Sequence, residues 1–174
     1  MTASLKSFFL ALQIIFSLEG GWYAGDGGTM YGIRASTLGE ANRRGIVRET
    51  NIRRIKQGDA AKIYYYMYWI PSGAGRYDWP LCLVVFDAAV HNGVGKSGEL
   101  LDIAYKALRP GSSQNDIALQ MVVERWKHLK SLSKFPKYPG WRRRMNTILR
   151  HVLDSKEQRR KTSYKAAPPL PLAA

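Results

Sequence analysis

The chain has 174 residues, 45% of them hydrophobic and 23% charged, with 27 Lys and Arg against 13 Asp and Glu. That length suits one domain or two small packed lobes, with a core reaching most of the chain. The formal charge of +14 favours polyanions such as nucleic acid, an anionic membrane or the anionic cell wall, without choosing among them.

A single cysteine, Cys82, excludes an internal disulfide, and its apolar run (residues 81–86) marks it as a buried, inert thiol. No apolar run reaches the ~18–20 residues that span a bilayer. Lys6 and the apolar run 7–18 resemble the opening of a signal peptide, but no small-residue cleavage site follows. A buried first helix is the better reading. Residues 5–19 are apolar nearly all round, as in a core helix, and Gly20-Gly21 stops it.

Residues 20–33 hold six of the sixteen glycines, a density that suits turns and short strands and predicts a small β-hairpin or loop. Short helices are expected over 36–44 and 49–57. Asp59 reads as the N-cap of a tyrosine-rich helix over 60–69, which ends before Pro71. Pro80 opens an apolar helix over 80–91, closed by Asn92-Gly93. Helices follow at 97–108 and 113–131, then a break at 133–140 and a basic helix from Trp141 to about 160. Residues 163–174 offer too little to pack and are expected to be a disordered tail.

The chemistry centres on Glu19. It falls in the last turn of an apolar helix, where burial against Phe16, Leu18 and Trp22 and the negative helix end both disfavour a charged carboxyl. A general acid working near neutral pH needs such a setting. The plain alternative is a solvated helix-end glutamate. A glycine-rich loop carrying Asp26, Thr29 and Tyr31 follows at once. Asp26, flanked by glycines, reads as exposed and ionised, able to be a second carboxylate or an ordinary turn residue, and Thr29 could position a water. Trp22 and Tyr23 are candidate sugar platforms. Of the aromatic band 64–69, Tyr68 and Trp69 are further candidates, with core packing the safer reading. Asp87 and His91, four apart on one helix face, could be a catalytic or metal pair, with a buried hydrogen-bonded pair the better reading. Three scattered His and one Cys give no metal-ligand spacing, and no phosphate-binding loop, dinucleotide fingerprint or serine-hydrolase elbow is present.

The stretch 19–33 (EGGWYAGDGGTMYGI) resembles the signature of glycoside hydrolase family 108. Glu19, Gly20 and Gly21 match its first half, and Asp26, Gly27, Gly28, Thr29, Gly32 and Ile33 its second. Residues 60–69 resemble a later segment of the family. Residues 86–93 and the closing Trp141-Arg142-Arg143-Arg144 resemble the small peptidoglycan-binding module often fused to it. The resemblance covers about residues 5–150.

It implies a mainly α, lysozyme-like fold with a small glycine-rich β-hairpin after the first helix. It also implies a phage-endolysin type of muramidase that cleaves peptidoglycan between N-acetylmuramic acid and N-acetylglucosamine. Glu19 is then the catalytic acid; from the residues themselves, Asp26 and Thr29 are the candidate catalytic partners, and Trp22, Tyr23, Tyr31, Tyr68 and Trp69 the candidate substrate contacts. The expected division is a catalytic lobe over 1–79, a helical lobe over 80–162 that resembles the binding module, and the tail. No cofactor or metal is expected, and the chain is expected to be a monomer.

Half of the net charge lies from Trp141 onward, with nine Lys/Arg against two Asp/Glu. This basic helix could touch an anionic membrane or lipopolysaccharide, or simply solvate one face. No specific nucleic-acid reader is recognisable. The expected route is synthesis in the host cytoplasm, release through a pore such as a holin, and action at the periplasmic wall. A lytic transglycosylase acting on the same bond, a non-catalytic wall-binding protein and a nucleic-acid binder are the competing functions.

Overall fold

A computed structural model of the chain describes residues 2–25 and 28–166. The architecture is mainly α and lysozyme-like, with one small sheet. Helix α1 (Ala3–Glu19) begins where the Thr2 side chain accepts from Leu5 N and stops at Gly20, whose φ of 71° only glycine adopts readily. Phe8, Ala11, Leu12 and Ile15 form its buried stripe at i, i+3, i+4 and i+7. The helix is not core on all sides: Phe9 and Leu10 are exposed.

Three two-residue strands follow, β1 (Trp22–Tyr23), β2 (Thr29–Met30) and β3 (Ile33–Arg34). They pair antiparallel in that order, Trp22 opposite Met30 and Thr29 opposite Arg34. Helix α2 (Ala35–Arg43) comes next. The short helix expected over 49–57 is only a 3-10 turn at Ile52–Arg54. Local side-chain acceptors win there: Glu49 Oε1 takes the N–H groups of Thr50 and Asn51, and Asn51 Oδ1 that of Arg53. Helix α3 (Gln57–Tyr64) starts before Asp59, which is therefore not its N-cap. Asp59 sits one turn inside and accepts from Lys56 N at 3.0 Å. The helix widens into a π turn over Tyr65–Trp69.

Helix α4 (Leu81–Asn92) is the axis of the molecule. Every residue from Leu81 to Ala89 is buried, which its apolar sequence requires. Around it pack α1, α5 (Val94–Lys106), α6 (Gln114–Ser131) and α7 (Pro139–Ala166). Helix α5 starts three residues earlier than the sequence suggested, directly after Gly93. Ser113 caps α6 by accepting from Asp116 N. Because α7 continues to Ala166, the tail expected from 163 does not begin there; residues 167–174 lie outside the described part. One hydrophobic cluster links α1, α4, α6 and α7, with Phe8, Tyr64, Trp69 and Phe86 as its aromatic centre.

Candidate active site

The end of α1 and the turn between β2 and β3 meet at Glu19. A Cβ built on Gly32 would lie 2.6 Å from Glu19 Oε2, and Gly32 has a φ of +76°. Glycine is needed there twice over, for the backbone and for the close approach of the carboxylate. The preceding Tyr31 has a φ of 53°, rare outside glycine. Tyr64 helps to hold it by donating its hydroxyl to the Tyr31 carbonyl at 2.9 Å, and Phe16 packs on its ring at 5.7 Å. Gly28, also at positive φ, lies under the Trp22 ring.

Two cavities share Glu19. The first, about 640 Å³, is bounded by Tyr23 and Thr29 on the hairpin side and by His91, Tyr138, Trp141 and Arg143 on the helical side. The second, about 410 Å³, runs between Thr37, Tyr64, Tyr68 and His91. Glu19, Gly32, Arg34, His91 and Arg144 line both. The Glu19 carboxylate therefore stands at the waist of a groove, and it is the one acid lining either cavity among the described residues.

Under it lies a buried chain of charges. Arg144 Nη1 donates to Glu19 Oε1 at 2.5 Å, and Arg144 Nε donates to Asp87 Oδ1 at 2.9 Å. Arg125, fully buried on α6, donates to Asp87 Oδ2 at 2.5 Å and to Asn92 Oδ1 at 2.8 Å. Two guanidinium groups alternate with two carboxyl groups, and Asp87 bridges the two arginines. Burial alone would push the Asp87 carboxyl up, but Arg144 and Arg125 outweigh it and hold it below the usual range. Burial opposes charge on Arg144 too, yet Asp87 and Glu19 together keep its guanidinium above its ordinary value. Burial, and then Arg125 and Arg144, depress His91 to about 3, so it is a neutral imidazole.

The sequence-derived candidates divide. Thr29 and Tyr23 line the first cavity with Glu19, and Tyr68 lines the second. Burial raises the Tyr68 hydroxyl, keeping it a donor. Trp69 is a correction: it is 2% exposed, wedged between Phe8 and Phe86, and cannot meet a sugar. The Tyr31 ring packs on Phe16 and lines neither cavity, so its part is to shape the turn beside Glu19. Trp22 is exposed but lines neither cavity, with the Arg53 guanidinium 4.8 Å from its ring centre. Asp26 lies outside the described residues. Asp87 is buried and bonded as expected, but to Arg125 and Arg144 rather than to His91, whose side turns to the groove. Cys82 is buried, and burial pushes its thiol up to about 11, which makes it inert. Arg144, Arg34, Tyr138 and Trp141 were missed as candidates, and His91 was set aside as structural. Only the cluster of Arg142, Arg143 and Arg144 beside Trp141 hinted at them.

A carboxylate at the waist of a groove in a lysozyme-like helical fold is the arrangement of a glycoside-cleaving enzyme. Residues 12–93 match the family Glycosyl hydrolase 108. That match, over 82 of the 174 residues, supports a glycoside hydrolase. A solved structure described as that of SagA from Brucella abortus has the same fold. The TM-score is 0.71 over 86% of this chain and 95% of that one, at 21% identity. No curated protein matches the chain.

Proposed function

We propose that the chain is a muramidase that cleaves peptidoglycan between N-acetylmuramic acid and N-acetylglucosamine, with Glu19 as general acid. The observation that carries this reading is the position of Glu19, the one described acid of the groove, at the junction of its two cavities. A glycan strand threaded through both presents one glycosidic oxygen to that carboxyl, with sugars on either side. Glu19 gives its proton to the bridging oxygen as the C1–O bond breaks. Water then adds hydroxide to C1, and its remaining proton restores the acid–base pair.

Asp87 is not the second carboxylate. It is fully buried and both of its oxygens are taken by arginines. Thr29, on the groove wall, is the group to hold the attacking water. If the sugar's own C6 hydroxyl attacks C1 instead, no water is consumed and the product is a 1,6-anhydro sugar, the outcome of a transglycosylase.

The test is turbidity loss of outer-membrane-stripped bacteria. Wild type is expected to clear them, while Glu19→Gln stays folded by circular dichroism and loses at least about a thousandfold in rate, since proton transfer and charge stabilisation both go. Product mass, higher by one water for hydrolysis, separates the two cleavage routes. Equal clearing by the two proteins would remove Glu19 from the chemistry.

A further inference from the structure

The helical wall of the groove holds features that proton donation by Glu19 does not use. Tyr138 and Trp141 are stacked, with ring centres 5.2 Å apart and planes 13° from parallel. His91 sets its ring edge-on to Trp141 at 5.3 Å and 86°, which fixes the indole plane. All three line the cavity of about 640 Å³ that contains Glu19. Trp141 covers one face of the Tyr138 ring, and Tyr138 is 44% exposed, so its other face is open. A flat, rigid, open aromatic face beside polar groups suits the C–H face of a pyranose.

The same wall contains two unsatisfied atoms. Arg144 Nη2 and His91 Nδ1 are buried without a hydrogen-bond partner, a state that a bound partner would relieve. An anion is the wrong complement. Arg144 already donates to the carboxyl groups of Asp87 and Glu19, whose oxygens an added anion would crowd, and His91 is neutral. What fits is a neutral group carrying both an acceptor and a donor. An acetamide has both, a carbonyl oxygen for the guanidinium and an N–H for an imidazole nitrogen. A free amino sugar would instead bring an ammonium toward Arg34, Arg143 and Arg144, like charge against like.

We propose that Tyr138, Trp141, His91 and Arg144 form a subsite for one N-acetylated sugar, its ring on the open face of Tyr138 and its 2-acetamido group turned to Arg144 and His91. The inference rests on the groove being a glycan cleft and adds a requirement to it: glycan must be N-acetylated on this side of the cut bond.

Isothermal titration of the Glu19→Gln protein with the N-acetylglucosamine tetramer and with the glucosamine tetramer tests this. The acetylated tetramer is expected to bind and the deacetylated one to bind at least about tenfold more weakly, the size of one lost buried polar pairing. Adding Tyr138→Ala, at an exposed position that does not endanger folding, is expected to weaken the acetylated tetramer about tenfold. Trp141→Ala should do at least as much, with circular dichroism as its folding control. Equal affinity for the two tetramers, or unchanged affinity in folded Tyr138→Ala, overturns the subsite. Failure of the acetylated tetramer to bind, while wild type clears cell walls, also overturns it and leaves the cleavage reading standing. Failure of both binding and clearing sinks the two together.

Discussion

The two walls of the groove are built by different means. The hairpin wall is local: Glu19, Tyr23, Thr29 and Gly32 lie within fourteen residues of one another, and backbone geometry places them. The helical wall is assembled from α4, α6 and α7 by ion pairs that join Glu19 to Arg144 across 125 positions. A local wall depends on glycines that allow close approach. A long-range wall depends on charges that must all be present at once.

The largest test of this difference is Asp87→Ala. It leaves Arg125 and Arg144 buried without their shared carboxylate, so a loss of about 3–5 kcal/mol is expected. Urea denaturation would measure it, and lytic activity should fall in parallel with the folded fraction and with the misplaced Arg144. A loss below about 1 kcal/mol would mean that the helical wall does not rely on its charges.

Gly32→Ala attacks the other wall. A methyl group at positive φ, pressed on the Glu19 carboxylate, should cost about 1–3 kcal/mol. Unlike Asp87→Ala, it should reduce kcat far more than it reduces the denaturation midpoint. Comparable effects of the two substitutions on activity per folded molecule would erase the distinction between the walls.

The smallest effect belongs to His91. Its folded value, about 3, lies below the ordinary 6.5. Between these two values the unfolded chain binds a proton that the folded one refuses. The stability tied to neutral His91 is therefore complete above about pH 6.5 and declines as the pH falls toward 3. Asp87 is held below its ordinary 3.8, so it does not contribute to the window from pH 6.5 to 4.5, where imidazoles titrate. His91→Gln should show a shallower fall in stability over that window than wild type, with the His128 contribution common to both. Identical slopes would show that His91 is not kept neutral by its surroundings.

How much of this was legible in the sequence follows the same division. Glu19 and its glycine hairpin could be read because a helix end, a run of glycines and a spaced acid occupy one short window. The core helix 80–91 was legible from its continuous apolar run, the proline at its start and the Asn-Gly at its end. Residues 49–57 misled because Glu49 and Asn51 satisfy backbone N–H groups locally, which propensity does not weigh. Trp69 was offered as a sugar contact from an aromatic band, but the π turn sends it into the core against Phe8 and Phe86.

Arg144 was beyond reach. One arginine among three in a row is singled out only by helix phase and by an aspartate 57 positions earlier. It also lies outside residues 12–93, the span that matches the hydrolase family. The apolar neighbours of Glu19 were visible in the sequence, and the cation against its carboxylate was not.

The shared carboxylate of Asp87 also bears on the order in which the molecule comes into being. Synthesis delivers the acid and its hairpin first, the buried aspartate next, and the two arginines that balance them last. A nascent chain that has passed Gly93 but not residue 144 holds two carboxylates facing an unfinished core. The groove gains its floor and its second wall only when α7 closes over α4. The site is thus completed late in translation, when residue 144 has been made.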